Sequence, residues 1–399
     1  MNTAYIVDIL RTPVGKFAGT LSSVRPDDMA ALVMKEIVAR NPNLDPALIE
    51  DVVMGAANQA GEDNRNVARM ALLLAGLPME IGGVTVNRLC ASGLQAIMDA
   101  SRAITCGDGE VYLAGGVESM TRAPFVMAKA ETAYSRTPEI YDTTIGWRFT
   151  NPALSKLHYP FGMGETAENV AERYGISRET QDEFAYQSQV KYKAAAEAGK
   201  FKDEIVPVHI PQRKGDAIVF DTDEHPRLSS IQKLGELKPA FRKDGTVTAG
   251  NSSGINDGAA VSIIVSEEIL KRYNLKPMAR VVSAAVAGVD PAHMGMGPVP
   301  ATQKALKRAG ISINDIGLAE INEAFAAQAV PCVQQLGINP DIVNVNGGSI
   351  AIGHPLGASG TRISATLLHE MKRRSDVKYG LATMCVGVGQ GAAIIYEKL

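Results

Sequence analysis

The chain has 399 residues, of which 46% are hydrophobic and 21% charged, a composition typical of a globular protein with two or three domains. Its 40 basic and 43 acidic residues give a net charge of −3, which argues against a general nucleic-acid-binding protein. No apolar run approaches the ~20 residues of a membrane span, and the first residues lack the apolar core of a secretion signal, so we expect a cytoplasmic protein without membrane contact.

The first 118 residues alternate short apolar runs with helical patterns, which is typical of an α/β fold. The patterns predict strands at 4–10, 51–57, 83–89 and 110–116, and helices at 26–41 and 92–107. Asp27 or Asp28 suits the positive end of the first helix dipole, and Gly107 would end the second helix.

Residues 119–249 do not continue this alternation. They contain proline-rich turns, a charged loop-like stretch and two polar helices predicted at 164–175 and 178–199, the second with Ser177 as its N-cap. Segments of this size usually carry substrate-binding or oligomer contacts. We therefore predict a large insertion over the first half of the fold.

The C-terminal part repeats the plan of the first. Residues 301–327 resemble 31–57, and 341–371 resemble 83–104, each of the latter pair being an apolar strand ending in Asn, a loop, Ser-Gly and a helix. A strand and a closing hairpin are predicted at 379–397. This self-similarity indicates an internal duplication, with active groups where the halves face each other. The predicted domains are an N-terminal half (1–118 plus 250–272), an inserted loop domain (119–249) and a C-terminal half (273–399).

Three reactive side chains lie at strand ends or in glycine-rich loops. Cys90 lies between a strand and a helix, where free N–H groups favour a thiolate, although most free cysteines are simply packed. His354 lies in the glycine-rich stretch 343–362, either against a ligand or satisfied within a tight loop. Cys385 precedes a glycine turn whose N–H groups would bind an oxyanion. An attacking thiolate, an activating imidazole and a proton-transferring thiol would give the three a shared chemistry.

Other polar residues have plainer interpretations. Asn322, at the end of a predicted strand, is by itself more typical of a turn than of a ligand site. The turn-rich stretch 248–260 either lines a ligand tunnel or merely connects two elements. The four cysteines show neither CxxC nor zinc-ligand spacing, so no metal site is predicted.

Six segments, in chain order, resemble the thiolase family: "VNRLCASGLQAI", "AGGVESM", "AGNSSGINDGAA", "NEAFAAQ", "NVNGGSIAIGHPLGASGTR" and "CVGVGQGAA". The resemblance covers essentially the whole chain. It implies two related βαβαβαββ halves in five layers (αβαβα), with a loop domain inserted in the first half. It also implies acyl-CoA and coenzyme A as substrates, no permanently bound cofactor, and a homodimer or homotetramer.

The same resemblance implies roles for the reactive residues. Cys90 would become acylated, His354 would activate it, and Cys385 would exchange a proton with the acetyl methyl carbon. Asn322, through a water, would form one oxyanion hole with His354. The backbone N–H groups of Cys90 and Gly387 would form the other.

Coenzyme A would lie against the inserted domain. The resemblance places its pantetheine near Ser253 and its phosphates near Arg227. The acyl pocket would be lined by Met163, Met294 and Phe325.

Thiolases catalyse both the cleavage and the formation of 3-oxoacyl-CoA. Some segments of this chain resemble degradative members, and one resembles biosynthetic members. The stretch 121–152 resembles degradative members, including those acting on 3-oxoadipyl-CoA, whereas Gly162-Met163 lies near a His-Met pair of biosynthetic members. We predict a 3-oxoacyl-CoA thiolase of broad or short-to-medium range. A biosynthetic acetoacetyl-CoA thiolase and a 3-oxoadipyl-CoA thiolase are alternatives. A decarboxylating ketoacyl synthase is less favoured because Cys385 stands where a histidine is needed, and a non-catalytic relative would have lost one of the three reactive residues.

Overall fold

The computed structural model describes residues 2–399, in which short strands and longer helices alternate at both ends of the chain. The strands are Ala4–Arg11 (β1), Gly15–Lys16 (β2), Asp51–Gly55 (β3), Gly82–Val86 (β4), Val111–Ser119 (β5), Phe125–Met127 (β6), Ile140–Asp142 (β7), Val208–Ile210 (β8), Ile218–Phe220 (β9), Asn256–Ser266 (β10), Ala279–Gly288 (β11), Ile316–Ile321 (β12), Tyr379–Val386 (β13) and Gln390–Glu397 (β14). The helices are Pro26–Arg40 (α1), Val67–Leu74 (α2), Ser92–Cys106 (α3), Pro152–Leu157 (α4), Met163–Tyr174 (α5), Arg178–Glu197 (α6), Ile231–Gly235 (α7), Glu267–Arg272 (α8), Pro298–Ala309 (α9), Ala326–Leu336 (α10), Ser349–Ile352 (α11) and Leu356–Arg373 (α12).

The main sheet is symmetric about its centre. Its strand order is β12–β13–β14–β11–β1–β10–β5–β3–β4, with β2 beside β10. At the centre β1 and β11 meet through two residue pairs, Tyr5 with Arg280 and Ile6 with Ala279. Going outward from this centre, each half has two antiparallel pairings followed by a parallel one. The predicted duplication is therefore confirmed in the order and direction of the strands.

One predicted strand of the second half is almost absent. The counterpart of β4 is reduced to a single bridge between Val343 and Ala319. The physical reason is Asn344, whose side-chain amide accepts from Ile321 N–H at 2.8 Å and donates to Ile321 C=O at 2.9 Å. A side chain thus takes the hydrogen-bonding positions that a continuing strand would have occupied.

Helices α3 and α12 form a central layer between the two halves. Their apolar faces share one core cluster with strands of both halves, including Leu94 and Ile97 on α3 and Ile363 and Leu367 on α12. Helices α1 and α2 cover the outer face of the first half, and α9 and α10 cover that of the second. This arrangement is the predicted five-layer αβαβα fold.

The chain between β5 and β10 carries two short hairpins and helices α4 to α7, and we propose 119–249 as the inserted domain. A buried ion-pair group ties it to the first half: Arg11 of β1 contacts Glu204 at 2.7 Å and Asp223 at 2.6 Å. Ser177 caps α6 as predicted, accepting from Thr180 N–H at 3.2 Å. Among the helices of residues 2–399, none is long and apolar enough to cross a membrane.

Candidate active site

Cys90 occupies a single 3₁₀ turn, Leu89–Ala91, that joins β4 to α3. Leu89 adopts a left-handed backbone with φ of 46°, a conformation that costs a non-glycine residue free energy. Hydrogen bonds hold this turn: Leu89 N–H donates to Asn87 Oδ1 at 2.8 Å, and Ser92 Oγ donates to Leu89 C=O at 2.6 Å. The position of Cys90 is thus set by its neighbours rather than by helix geometry alone.

The half-buried thiol of Cys90 is protonated at rest. Burial raises its pKa to about 11, although the backbone N–H groups of Gly387 and of Cys90 itself act to lower that pKa. The expectation that the helix start would favour a resting thiolate is therefore not met, because lost hydration outweighs the two N–H groups. Those same two N–H groups, which face the sulfur, are the pair that the resemblance to thiolases assigns to an oxyanion hole.

His354 lies just before α12, as Cys90 lies just before α3. Its backbone N–H donates to Asn256 Oδ1 at 2.8 Å, and its Nδ1 lies 2.7 Å from Ser359 Oγ. Since the Ser359 hydroxyl already donates to Pro355 C=O at 2.8 Å, it accepts from Nδ1–H. The assigned tautomer leaves Nε2 unprotonated and able to take a proton.

The imidazole of His354 is neutral over the physiological range. Its burial and the positive charge of Arg362 lower its pKa to about 3. A neutral ring with an unprotonated Nε2 is the form that a general base requires.

Asn322 points its amide nitrogen at this ring. Its Nδ2 lies 3.5 Å from His354 Nε2, while its Oδ1 accepts from Ser349 Oγ at 2.6 Å. Ser349 Oγ in turn accepts from Arg362 Nη2 at 2.6 Å. This chain of hydrogen bonds defines which end of the Asn322 amide faces His354.

The starts of α3 and α12 approach each other closely. A Cβ on Gly93 would lie 2.7 Å from the carbonyl oxygen of Gly357, and a Cβ on Gly116 would lie 2.0 Å from the same oxygen. Only glycine allows backbones to come this close. The crossing brings together the chain segments that hold Cys90 and His354.

Cys385 lies on β13 and is fully buried. It belongs to one apolar cluster with Met163, Met294 and Phe325, the three residues predicted to line the acyl pocket. Burial, together with the electrostatic influence of Cys90, raises the pKa of Cys385 well above its usual value. The structure thus gathers the second cysteine and the predicted pocket in one place.

Gly387 connects this cluster to the Cys90 turn. A Cβ at Gly387 would lie 3.2 Å from Cδ1 of Leu89 and 3.5 Å from the sulfur of Met163. Gly387 thus lies between Leu89 of the Cys90 turn and Met163 of the apolar cluster.

The predicted coenzyme A residues lie at the turn before β10. Ser253 donates to Ala324 C=O from both its N–H, at 2.9 Å, and its Oγ, at 3.0 Å, directly before Phe325. Arg227 donates to Ala249 C=O at 2.6 Å. Ser253 therefore lies beside Phe325 of the predicted acyl pocket, whereas the exposed Arg227 contacts the turn at Ala249. Within residues 2–399 there is no group of three or more His, Cys, Asp or Glu side chains placed to hold a metal ion.

Glu118 lies close enough to Cys90 to influence it, and the sequence analysis did not single it out. Buried near the end of β5, its carboxylate accepts from the N–H groups of Ala57, Asn58 and Gly357 at 2.9, 3.2 and 2.8 Å. Burial raises its pKa to about 7, and its charge helps raise the pKa of Cys90. The available signal was an acidic residue inside an otherwise apolar strand.

Family models cover nearly all of the chain. The model described as "Thiolase, N-terminal domain" matches residues 4–268, and "Thiolase, C-terminal domain" matches residues 275–398. The chain belongs to the thiolase family. The predictions of the fold, of an acyltransferase and of CoA-dependent thiolytic cleavage are confirmed at the level of this family.

Individual thiolases resemble this one over their full length. The chain is 54% identical to a 3-oxoadipyl-CoA/3-oxo-5,6-dehydrosuberyl-CoA thiolase of Escherichia coli (strain K12) and 52% identical to a beta-ketoadipyl-CoA thiolase of Acinetobacter baylyi, covering 100% of both chains in each case. Among solved structures, the acetyl-CoA acetyltransferase of Bacillus anthracis is 43% identical with a TM-score of 0.94, over 100% of this chain and 99% of the other.

Proposed function

We propose that this thiolase cleaves 3-oxoadipyl-CoA with coenzyme A, giving acetyl-CoA and succinyl-CoA. The observation that carries the chemistry is the neutral His354, whose Nδ1–H is held by Ser359 and whose unprotonated Nε2 faces the Asn322 amide. The choice of substrate is supported by two relatives, 52% and 54% identical over their full length, whose names specify that substrate. They favour the 3-oxoadipyl-CoA alternative over the broad-range thiolase that we predicted first.

In the first half-reaction, Cys90 attacks C3 of the substrate while its proton passes to His354 Nε2. The N–H groups of Cys90 and Gly387 stabilise the resulting oxyanion. The C2–C3 bond then breaks, leaving a succinyl group on Cys90 and the enolate of acetyl-CoA. Cys385 protonates the enolate carbon, and Asn322, acting through a water, stabilises the enolate oxygen with His354.

In the second half-reaction, the Cys385 thiolate takes the thiol proton of coenzyme A, whose sulfur attacks the acyl-cysteine and releases succinyl-CoA. His354 returns its proton to the Cys90 sulfur as that sulfur leaves. The raised pKa values of the Cys90 and Cys385 thiols are compatible with this order of reaction steps. Cys90 loses its proton only when a carbonyl is in place to be attacked, which limits side reactions of a resting thiolate. Cys385 keeps a proton to donate to carbon.

Intact mass spectrometry after mixing with 3-oxoadipyl-CoA, without free coenzyme A, tests the intermediate. The wild type should carry one succinyl group, and Cys90→Ser should carry none. Cys106→Ser is a matched control because Cys106 is exposed and lies at the opposite end of α3 from Cys90. An unmodified wild type, or an adduct that persists in Cys90→Ser, would contradict the mechanism.

We also propose a homo-oligomer, with acyl-CoA and coenzyme A as its small-molecule ligands and no resident cofactor. Support comes from the β6–β7 hairpin, where Phe125, Tyr134 and Ile140 are 73%, 97% and 63% exposed. Apolar side chains grouped at the surface are typical of protein–protein contacts. Light scattering coupled to size exclusion should give a dimer or tetramer; a monomer at micromolar concentration would contradict this.

A further inference from the structure

Arg148 is a half-buried cation without an acidic partner among residues 2–399. Its Nη2 donates to the neutral amide oxygen of Asn58 at 3.2 Å. Arg25 and Arg122 differ from it, since both pair with Glu62. An arginine charge that is partly removed from water and left uncompensated favours an anionic ligand.

One side of Arg148 leads to the nucleophile. Its partner Asn58 belongs to the loop after β3, where the carbonyl of Ala57 accepts from Asn87 Nδ2 at 2.9 Å. Asn87 also holds the turn of Cys90 through its bond to Leu89 N–H. The loop after β3 therefore contacts Arg148 directly and the Cys90 turn through Asn87.

The other side of Arg148 leads to the acyl pocket. Its chain neighbour Trp147 donates from Nε1 to the carbonyl of Phe161 at 3.0 Å. Two residues further, Met163 faces Gly387 and joins the apolar cluster with Cys385. The Trp147–Arg148 segment is therefore connected through hydrogen bonds to the Cys90 turn on one side and to the chain leading to Met163 on the other.

The apolar wall creates a chemical requirement. A succinyl group on Cys90 ends in a carboxylate two methylene groups beyond the acylated carbon. Met163, Met294 and Phe325 offer no partner for that charge, and burying a carboxylate without one is costly. A guanidinium matches a carboxylate with two parallel N–H···O bonds.

We propose that Arg148 binds the distal carboxylate of a 3-oxodicarboxylyl-CoA substrate, and so selects this substrate class over unsubstituted 3-oxoacyl-CoA. The inference rests on the proposed function and adds the residue that determines specificity. Asn58 orients the guanidinium, and its neutral amide leaves the positive charge available to the substrate.

The test compares kcat/KM for 3-oxoadipyl-CoA with that for 3-oxohexanoyl-CoA, which has a methyl group in place of the distal carboxylate. In Arg148→Met, the ratio of kcat/KM for 3-oxoadipyl-CoA to kcat/KM for 3-oxohexanoyl-CoA should fall roughly 100-fold, because a charge-assisted pair is lost. Most of the fall should come from a lower kcat/KM for 3-oxoadipyl-CoA. Arg148→Lys should retain part of the preference. Arg213→Met removes an exposed arginine of the inserted domain and should leave the ratio unchanged.

The outcomes separate this inference from the proposed function. A wild type that cleaves 3-oxohexanoyl-CoA but not 3-oxoadipyl-CoA refutes the proposed substrate. A wild type that prefers 3-oxoadipyl-CoA, with the same preference in Arg148→Met, refutes the role of Arg148 alone. Equal losses of kcat/KM on both substrates in the Met and Lys variants would assign Arg148 to binding of the coenzyme A moiety or to folding. That result would also overturn its role in substrate specificity.

Discussion

At the scale of single residues, hydrogen bonds around His354 decide which nitrogen is free to react. Ser359 has one hydroxyl proton, and it is directed at Pro355, so the imidazole must donate from Nδ1. On the opposite side, Asn322 is turned by Ser349 so that its NH₂ group faces Nε2. The hydrogen bonds of the neighbouring residues therefore determine whether each polar atom in this region donates or accepts.

Ser349→Ala should lower kcat about 10-fold with little change in KM, because Asn322 loses the bond that orients its amide. The free energy of unfolding should fall by about 1–3 kcal/mol, since Arg362 also loses a buried partner. Steady-state kinetics and chemical denaturation measure the two effects.

Ser364→Ala is the matched control for Ser349→Ala. Its buried hydroxyl accepts from Tyr396 at 2.9 Å and donates to Gly360 C=O at 3.0 Å, so stability should also fall. Its kcat should stay near that of the wild type. An equal drop in kcat in both variants would show that Ser349 acts only on stability.

The stability of the fold should depend on pH through His354. Its pKa in the folded protein, about 3, lies below the 6.5 of the unfolded chain, so below pH 6.5 only the unfolded chain takes up this proton. The free energy of unfolding should therefore fall by up to ~1.4 kcal/mol per pH unit as pH drops from 6.5 toward 4. Denaturation of the wild type and of His354→Asn across this range isolates the effect: the difference between them should shift with pH, and a constant difference would refute it.

At the scale of elements, periodicity predicted most helices and strands closely. The helix predicted at 92–107 is α3, Ser92–Cys106, and that predicted at 178–199 is α6, Arg178–Glu197. The main miss, at Val343, is a strand replaced by the side-chain bonds of Asn344. Apolar periodicity reports which face is buried, but not whether a side chain competes for the backbone partners.

Gly93→Ala should destabilise the protein by about 1–3 kcal/mol and lower kcat, because the added Cβ would lie 2.7 Å from both Gly357 O and Thr361 Oγ1. Separating α3 from α12 would also separate the two reactive segments. Thermal denaturation and kinetics measure both effects. Gly235→Ala, on α7 with open space around it, is the control and should not destabilise. Similar behaviour of the two variants would show that the helix crossing tolerates a side chain.

At the scale of the whole molecule, the two duplicated halves form the scaffold, and the stretch 119–249 contributes one residue of the predicted acyl pocket. Met163 comes from α5, whereas Met294, Phe325 and Cys385 come from the second half. The orientation of 119–249 on the scaffold therefore matters for the site. The buried contacts of Arg11 with Glu204 and Asp223 hold that orientation.

Arg11→Met should lower the free energy of unfolding by about 3–5 kcal/mol, because it leaves two buried carboxylates without their cation. Proteolytic cleavage within 119–249 should become faster. Lys193→Met breaks an exposed pair with Glu197 at 3.8 Å and should change little. Urea denaturation and limited proteolysis make the comparison, and equal effects of the two substitutions would contradict the anchoring role.

Sequence patterns alone were enough to order the elements, detect the duplication and pick out Cys90, His354 and Cys385, because strand ends, helix starts and glycine loops are encoded locally. They did not reveal Glu118, whose partner Gly357 is 239 residues away, nor the raised pKa of Cys90. Hydration, charge and hydrogen-bond partners are properties of the space around an atom. That space is filled by distant parts of the chain, so only the folded molecule specifies the protonation states on which the chemistry depends.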